Sequence, residues 1–206
     1  VGIGAALELA TVTVTNSAAL LFSAAVNITG ALTQTNAATG GTTFSNTVSV
    51  GSADLRGTTY ALNNSFASAG TTSFTNSGVI TKSAVGNITS TGAFTTTGDV
   101  NLAANITTTD TDLSIGGNLV IAEAATPTLS TGTASLGNIL ISGTTNGTAG
   151  GVAETLTVDS GTGTTTFTGA VGIGAALELA TVTVTNSAAL LFSAAVNITG
   201  ALTQTN

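Results

Sequence analysis

VGIGAALELATVTVTNSAALLFSAAVNITGALTQTN, residues 1–36, recurs letter for letter as residues 171–206, 170 positions further along the 206-residue chain. A fold seldom requires 36 identical positions, because protein cores tolerate hydrophobic exchanges. The identity therefore indicates recent duplication or continual homogenisation of a long array. The chain divides into one full repeat, 1–170, and the start of the next, 171–206. Since it begins at Val1 without an initiator Met and ends within a repeat, we expect it to be an excerpt from a longer polypeptide.

A shorter and degenerate period recurs inside the repeat. Phe22, Phe44 and Phe66 are equally spaced along the sequence. The pattern Phe-[Ser/Thr]-x-x-Val-x-[Ile/Val] occupies 22–28, 44–50 and 167–173, and looser versions begin at Phe74 and Phe94. Ahead of three of these motifs, the segments 12–16, 32–36 and 156–160 alternate apolar and hydroxyl residues, which is typical of half-buried strands.

These periods predict an all-β fold of the parallel β-helix (β-solenoid) type. The unit is strand, corner, strand, corner, recurring about every 20–22 residues, so that the 170-residue repeat makes about eight coils. At ~4.8 Å between strands, one repeat would advance the axis by roughly 38 Å. The alternative is a string of immunoglobulin-like β-sandwiches, which also place strands every 8–12 residues.

In the solenoid, like residues stack on like, with Phe22 over Phe44 and Val26 over Val48. The motif residues are then a structural core ladder rather than a ligand path. The predicted ladder consists of Phe22, Phe44, Phe66, Phe74, Phe94, Phe167, Phe192, Val26, Val48, Val171, Ile28, Val50 and Ile173.

Composition excludes several classes of function. Charged residues make up 5% of the chain, yet 42% of it is hydrophobic, so the sequence is not of the disordered type. The formal charge is −7, and Arg56 and Lys82 are the only basic side chains, which excludes a nucleic-acid partner. No apolar run reaches the ~18 residues of a membrane span.

Candidate chemical sites are few, and each has a plainer structural explanation. The stretch Gly2–Leu7 and its copy Gly172–Leu177 resemble a dinucleotide loop, but neither has the required third glycine or helix. Asp110 and Asp112 could bind Ca²⁺ or act as an acid/base pair, and a solvated corner explains them better. We therefore predict no catalytic residue, no metal site, no cofactor and no enzymatic activity.

Two polar patterns leave further alternatives open. Thr-x-Thr arrays at 11–15 and 164–168 resemble the surface of ice-binding solenoids, although the pattern shifts register along the chain. The Asn of each Asn-x-Thr/Ser sequon is either a glycosylation acceptor or part of a buried amide ladder along the axis. These residues are Asn27, Asn63, Asn87, Asn105, Asn146 and Asn197.

Phrases such as LTQTNAATGGTTF (32–44) and NITSTGAFTTTG (87–98) resemble the β-strand repeats of giant bacterial surface proteins, notably filamentous-haemagglutinin-like exoproteins and large repetitive adhesins. The resemblance implies secretion, an extracellular or cell-surface location and a right-handed β-helical shaft. We expect a structural repeat of a long extracellular fibre, whose partners are identical neighbouring repeats, with lateral bundling of shafts. The alternative is the stalk of a large secreted adhesin.

Overall fold

The computed structural model describes residues 8–15, 17–35, 40–132, 136–149, 154–174 and 176–205. The regular elements in these ranges are 23 β-strands, and every strand pairing among them is parallel. The chain is a β-solenoid of about nine turns, which confirms the predicted fold class. Immunoglobulin-like sandwiches pair their strands antiparallel, so that alternative is wrong.

The strands form three rows, here called faces A, B and C. The first seven turns contribute one strand to each row, and the last two contribute strands to faces A and C and isolated bridges at Val171 and Val196 to face B. Face A contains β1 (Val12–Val14), the second halves of β3 (Val26–Gln34) and β5 (Val48–Gly57), β8 (Thr72–Asn76), β11 (Phe94–Thr96), β14 (Leu113–Ile115), β17 (Ile139–Ile141), β20 (Thr164–Phe167) and β22 (Ala189–Phe192). Face B contains β2 (Leu20–Phe22), β4 (Thr42–Phe44), β6 (Tyr60–Leu62), β9 (Ile80–Lys82), β12 (Val100–Leu102), β15 (Leu119–Ile121) and β18 (Thr145–Asn146).

Face C contains the first halves of β3 and β5, β7 (Phe66–Ser68), β10 (Ile88–Ser90), β13 (Ile106–Thr108), β16 (Thr128–Ser130), β19 (Thr155–Asp159), β21 (Thr181–Asn186) and β23 (Leu202–Gln204). The strands β3 and β5 run round the corner from face C to face A, which joins those two faces into one 16-stranded sheet. Face B forms a separate 7-stranded sheet.

The turns differ in length more than the sequence periods predict. Hydrogen bonds that join adjacent turns at the start of face B link Thr58 to Gly40, 18 positions away, and Thr144 to Asn118, 26 positions away. The strands on this face keep two or three residues throughout, so the extra length lies in the corners. The predicted coil of two strands and nearly constant length is therefore corrected to three strands and a variable corner length.

Side chains alternate between core and surface along each short strand. In β6 and β14, for example, the first and third residues are buried and the middle residue lies toward the surface. This alternation gives a strand of three residues two inward positions wherever its first and third residues are buried, and each large apolar side chain buried there contributes roughly 1.5–3 kcal/mol. Thr, Ser and Asn occupy most of the outward positions.

Glycines stack where the chain turns from face A to face B. The corner contains Gly98, Gly117, Gly143 and Gly169 on successive turns. A β-carbon on Gly143 would lie 2.5 Å from the carbonyl oxygen of Gly117, and one on Gly169 would lie closer still to that of Gly143. Only a residue without a side chain allows the backbones of adjacent turns to approach this closely.

Candidate functional site: the stacking surface between turns

The predicted core ladder divides by position along the shaft. Phe44, Phe66, Phe74, Phe94, Phe167, Val26, Val48, Val171, Ile28 and Val50 are buried. Phe22 and Phe192 are half-buried, because each lies in a terminal turn that is covered from one side only among the described residues. Two predicted stacks are paired in register, Phe22 with Phe44 and Val26 with Val48.

The aromatic side chains form an interior contact series rather than one column. The Phe22 and Phe44 rings stack with centroids 4.9 Å apart, whereas Phe44 meets Phe66 edge-on at 5.8 Å. Phe66 lies on face C, where it pairs with Val48, while Phe44 lies on face B. The equal spacing of these three residues therefore does not place them on one strand row, because the turn that follows Phe44 is shorter than the turn before it.

Ile173 departs from the core prediction, since 43% of its surface is exposed. After Val171, which forms only isolated bridges to Thr145 and Val196, the chain turns through Gly172 (φ 64°) and Gly174 (φ 138°). The motif's last residue consequently leaves the sheet, unlike Ile28 in the matching position of the first motif.

The two copies of the 36-residue segment lie at opposite ends of the solenoid and share pairings within the segment. They differ in that 26–34 form one continuous strand, β3, whereas the second copy has isolated bridges at Val196 and Ile198 before β23. Val12 pairs with Leu32 in the first copy, and Val182 pairs with Leu202 in the second. The surface bond is repeated as well, since Asn27 Nδ2 donates to Glu8 Oε1 at 2.9 Å and Asn197 Nδ2 donates to Glu178 Oε1 at 3.2 Å. These pairings and this hydrogen bond are therefore kept in two different surroundings.

The contacts that the two copies make with their neighbouring turns show how one repeat packs on the next. The second copy packs on the end of the first repeat, where the Phe192 ring stacks on Phe167 with centroids 4.9 Å apart and an interplanar angle of 14°. In the first copy, the equivalent Phe22 stacks on the following turn through Phe44, at an interplanar angle of 2°. The same side chain thus packs on an aromatic ring from either side of its turn.

Polar side chains at the corners form ladders that run along the axis. At the entrance to face B, Asp99 Oδ1 accepts a hydrogen bond from the backbone N–H of Asn118 at 2.7 Å, and Asn118 Oδ1 accepts one from the N–H of Thr144 at 2.9 Å. The same arrangement occurs before faces A and C, through Asp112, Asn138 and Thr164 and through Asn87, Asn105 and Thr128. The buried amide ladder left open for the sequon asparagines is therefore not formed at Asn87 and Asn105, whose ladder lies at an exposed to half-exposed corner.

Lys82 is an unexpected core residue, with 1% of its surface exposed. It lies on face B between Leu62 and Leu102, and its Nζ donates to the carbonyl oxygens of Val85 at 2.8 Å and Ser83 at 2.9 Å. A third, longer contact of 3.5 Å joins it to the Leu62 carbonyl. Burial lowers the pKa of the Lys82 ammonium to about 8.

A second buried polar group joins faces A and B near one end of the shaft. The Thr42 hydroxyl donates to Gln34 Oε1 at 3.1 Å, and the Tyr60 hydroxyl donates to the same oxygen at 3.5 Å. Burial, and then the negative charge of Asp54, raise the pKa of the Tyr60 phenol well above its usual range. These contacts connect the interiors of two adjacent faces.

The remaining candidate sites have structural roles. Asp112 is used by its corner ladder, and Asp110 is an exposed corner residue with φ 56°. Residues 1–7 lie outside the described part of the chain, and a β-carbon on Gly172 in the copied loop would clash with the Asn197 carbonyl oxygen. Within the described ranges, no group of three or more His, Cys, Asp or Glu side chains could hold a metal ion.

The Thr-x-Thr pattern is kept over few turns. Thr155 and Thr157 of β19 lie beside Thr181 and Thr183 of β21 on face C. On face A, however, Thr166 of β20 lies between Leu140 and Leu191. A flat threonine array therefore does not extend along the described turns of the shaft.

No known protein family, curated protein or solved structure matches this chain. The described residues include no helix long and apolar enough to cross a membrane. The chain's own geometry is therefore the basis for assigning a function.

Proposed function

We propose that this chain is a structural segment of a long extracellular fibre, in which identical repeats continue one β-solenoid along a common axis. The observation that carries the proposal is the junction between residues 154–170 and the second copy. There β21 and β22 continue the parallel ladders of β19 and β20, with one register shift between Val158 and Asp159, and isolated bridges through Val171 continue face B. Because the second copy is identical to the first, the same addition can be repeated indefinitely.

The terminal turns support this use, because each offers a surface for another turn. Leu202 of β23 is 48% exposed, whereas the identical Leu32 is buried under the next turn through its pairing with Ala53. The outer edge of the last strand in a row also carries unpaired backbone groups, which favour the addition of another strand. In a tandem array both features are covered by the neighbouring repeat.

The outward surface fits a shaft that lies beside others. Lysine and glutamate on sheet surfaces normally keep neighbouring proteins apart, and this chain has only 5% charged residues. The single ion pair among the described residues joins Arg56 and Asp54 at 3.4 Å, and both side chains are about half exposed. Lateral bundling of shafts follows from this low charge.

The stalk of a secreted adhesin is a second candidate, favoured by the resemblance of 32–44 and 87–98 to the repeats of such proteins. In that case the repeats supply length, and attachment belongs to another part of the protein. Shafts made of repeats alone should then fail to attach to a surface that the entire protein binds. Equal attachment by both would assign binding to the shaft itself.

Tandem arrays of two, four and eight repeats test the fibre proposal directly. A continuous solenoid predicts straight rods in electron micrographs that lengthen by roughly 37 Å per repeat, since one repeat makes between seven and eight turns at ~4.8 Å each. It also predicts an unfolding midpoint that rises with repeat number, because each added junction contributes interface energy. Strings of separate beads with one common midpoint would contradict the proposal.

A further inference from the structure

We infer that one repeat spans seven and two-thirds turns, so that each repeat presents its surface rotated by one third of a turn from the repeat before it. The inference concerns the placing of the two copies within this chain. Its extension to longer fibres rests on the proposed function.

The copied strands lie on different faces. Val12–Val14 form β1 on face A, and their copies, Val182–Val184, lie in β21 on face C. Leu20–Phe22 form β2 on face B, while their copies, Leu190–Phe192, lie in β22 on face A. Every copy therefore lies one face behind its original in the A, B, C order of the chain.

The third face agrees with the other two. Val26 begins β3 on face C, where it pairs with Val48. Its copy Val196 instead bridges Val171, which in turn bridges Thr145 at the end of the face B ladder. The offset is consequently a rotation of the whole turn and not the displacement of one strand.

The turns between the copies can be counted on the strand rows. From β1 to β20, face A advances by seven turns, through β3, β5, β8, β11, β14 and β17. Two further steps, to Val171 on face B and β21 on face C, complete the repeat. The total is one third of a turn short of eight.

The packing accommodates an offset of one third of a turn because strands on all three faces share one pattern of buried and outward residues. Buried, outward and buried again is the pattern of β6 on face B, β7 on face C and β14 on face A. An inward apolar residue can therefore move to another face, as Phe22 and Phe192 do while keeping an aromatic neighbour at 4.9 Å.

The offset distributes surface features around the fibre. Leu21 is the outward residue of β2 and is 65% exposed on face B, whereas its copy Leu191 is 54% exposed on face A. In a longer array the leucine returns to its first face after three repeats, or 23 turns, roughly 110 Å along the axis. Neighbouring shafts of the same protein then meet this leucine on three sides, which favours a bundle over a flat ribbon.

Distances between spin labels in the 206-residue chain test the inference, since the chain has no native cysteine. The control pair, Thr13→Cys with Leu191→Cys, lies on face A eight steps apart, and should give about 38 Å. The test pair, Leu21→Cys with Leu191→Cys, joins equivalent residues of the two copies. It should give a distance about 4 Å longer than the control, because the labels stand on different faces with a lateral offset of about 20 Å.

A test-pair distance of about 38 Å, shorter than the control distance, would mean that the repeat makes eight whole turns and that Leu191 lies on the same face as Leu21, and would overturn the inference. A control distance far from the expected value would overturn it as well, because face A would not be continuous. Failure of the fibre proposal is distinguished by the arrays, since beads in electron micrographs of several repeats would leave the label distances within one chain unchanged.

Discussion

Among single residues, Lys82 is a buried group whose pKa is moved toward neutral pH, so its burial affects how stability depends on pH. Its ammonium lies between Leu62 and Leu102 on face B, and its hydrogen bonds go to carbonyl oxygens rather than to a carboxylate. A buried cation stabilised only by carbonyl groups retains part of the cost of leaving water. The lowered pKa of Lys82, about 8, expresses that cost.

Stability should therefore rise with pH above neutrality. The ordinary pKa of a lysine is 10.5, so between about pH 8 and pH 10.5 the unfolded chain holds a proton on Lys82 that the folded chain has lost. The free energy of unfolding should increase by about 2 kcal/mol from pH 7 to pH 9.5. Urea unfolding at pH 7, 8.5 and 9.5 measures the change, and stays below the range where ionisation of the buried Tyr60 would act against folding.

Lys82→Met is the matched variant for this prediction, because methionine is long and apolar and cannot titrate. Its free energy of unfolding should stay level from pH 7 to 9.5, apart from changes shared with other groups. If the unmodified chain were equally level, Lys82 would have to be exposed or paired with a carboxylate in solution.

Gly143→Ala should destabilise the solenoid by roughly 2 kcal/mol, because the new β-carbon would lie 2.5 Å from the Gly117 carbonyl oxygen. Ser142→Ala, at the exposed neighbouring position, should change stability by less than about 0.5 kcal/mol. Chemical denaturation of the two variants provides the comparison. Similar stabilities would mean that adjacent turns are further apart at this corner than in the structure.

At the scale of strands and corners, the corner ladders of Asn and Asp side chains determine where the strands that follow them begin. Every ladder oxygen receives a backbone N–H from the next turn, which satisfies a donor that the parallel ladder leaves free at the corner. One such ladder precedes the strands of each face, A, B and C, so the ladders hold successive turns in register at all three corners.

Asn118→Ala should lower the free energy of unfolding by about 1 kcal/mol, since it removes the acceptor of the Thr144 N–H and of the Thr144 hydroxyl at 3.0 Å. Asn101→Ala is the matched control, because Asn101 lies in the middle of β12 with its side chain on the half-exposed outer surface. The control should stay within about 0.5 kcal/mol of the parent chain. Thermal and urea unfolding measure both variants. Equal losses of unfolding free energy would show that the ladder hydrogen bonds make no specific contribution to stability.

The sequence predicts the inward pattern better than the corners. Phe22 with Phe44 and Val26 with Val48 are paired as expected, because the surrounding motif is repeated over a turn of the same length. Ile173 and the third strand of each turn could not be inferred, because hydrophobic alternation says nothing about how many residues a corner contains. Unequal turn lengths also move Phe66 to face C, away from the row that holds Phe22 and Phe44.

Two features that were not predicted, the corner ladders and the buried Lys82, nevertheless have a recognisable pattern in the sequence. Asn or Asp stands directly before the first buried residue of several strands, as in Asp99–Val100 and Asn118–Leu119, and this identifies the ladders once the strands are known. Lys82 lies midway between Leu62 and Leu102 in the sequence, one turn from each, which places it in an apolar row. A lone charge at an apolar register position is thus a sign of a buried cation.

At the scale of the whole molecule, stability belongs to the stack and not to any turn. Each strand of two to ten residues has its hydrogen-bond partners in other turns. We therefore expect that a single turn does not fold in isolation. The repeated 36-residue segment extends this dependence across the repeat boundary, where β21 and β22 of the second copy pair with β19 and β20 of the first repeat. Under the proposed function, we therefore expect a chain of identical repeats to be one elongated structure, with no domain boundary between one repeat and the next.

Helical diffraction from aligned arrays of the repeat tests this continuity most directly. A continuous solenoid predicts a strong meridional reflection near ~4.8 Å, and layer lines that index on roughly 110 Å with a meridional reflection near ~37 Å, because three repeats of seven and two-thirds turns restore the first face. Particles spaced at a variable distance, without the reflection from the strand spacing, would show that each repeat folds separately and would contradict the account.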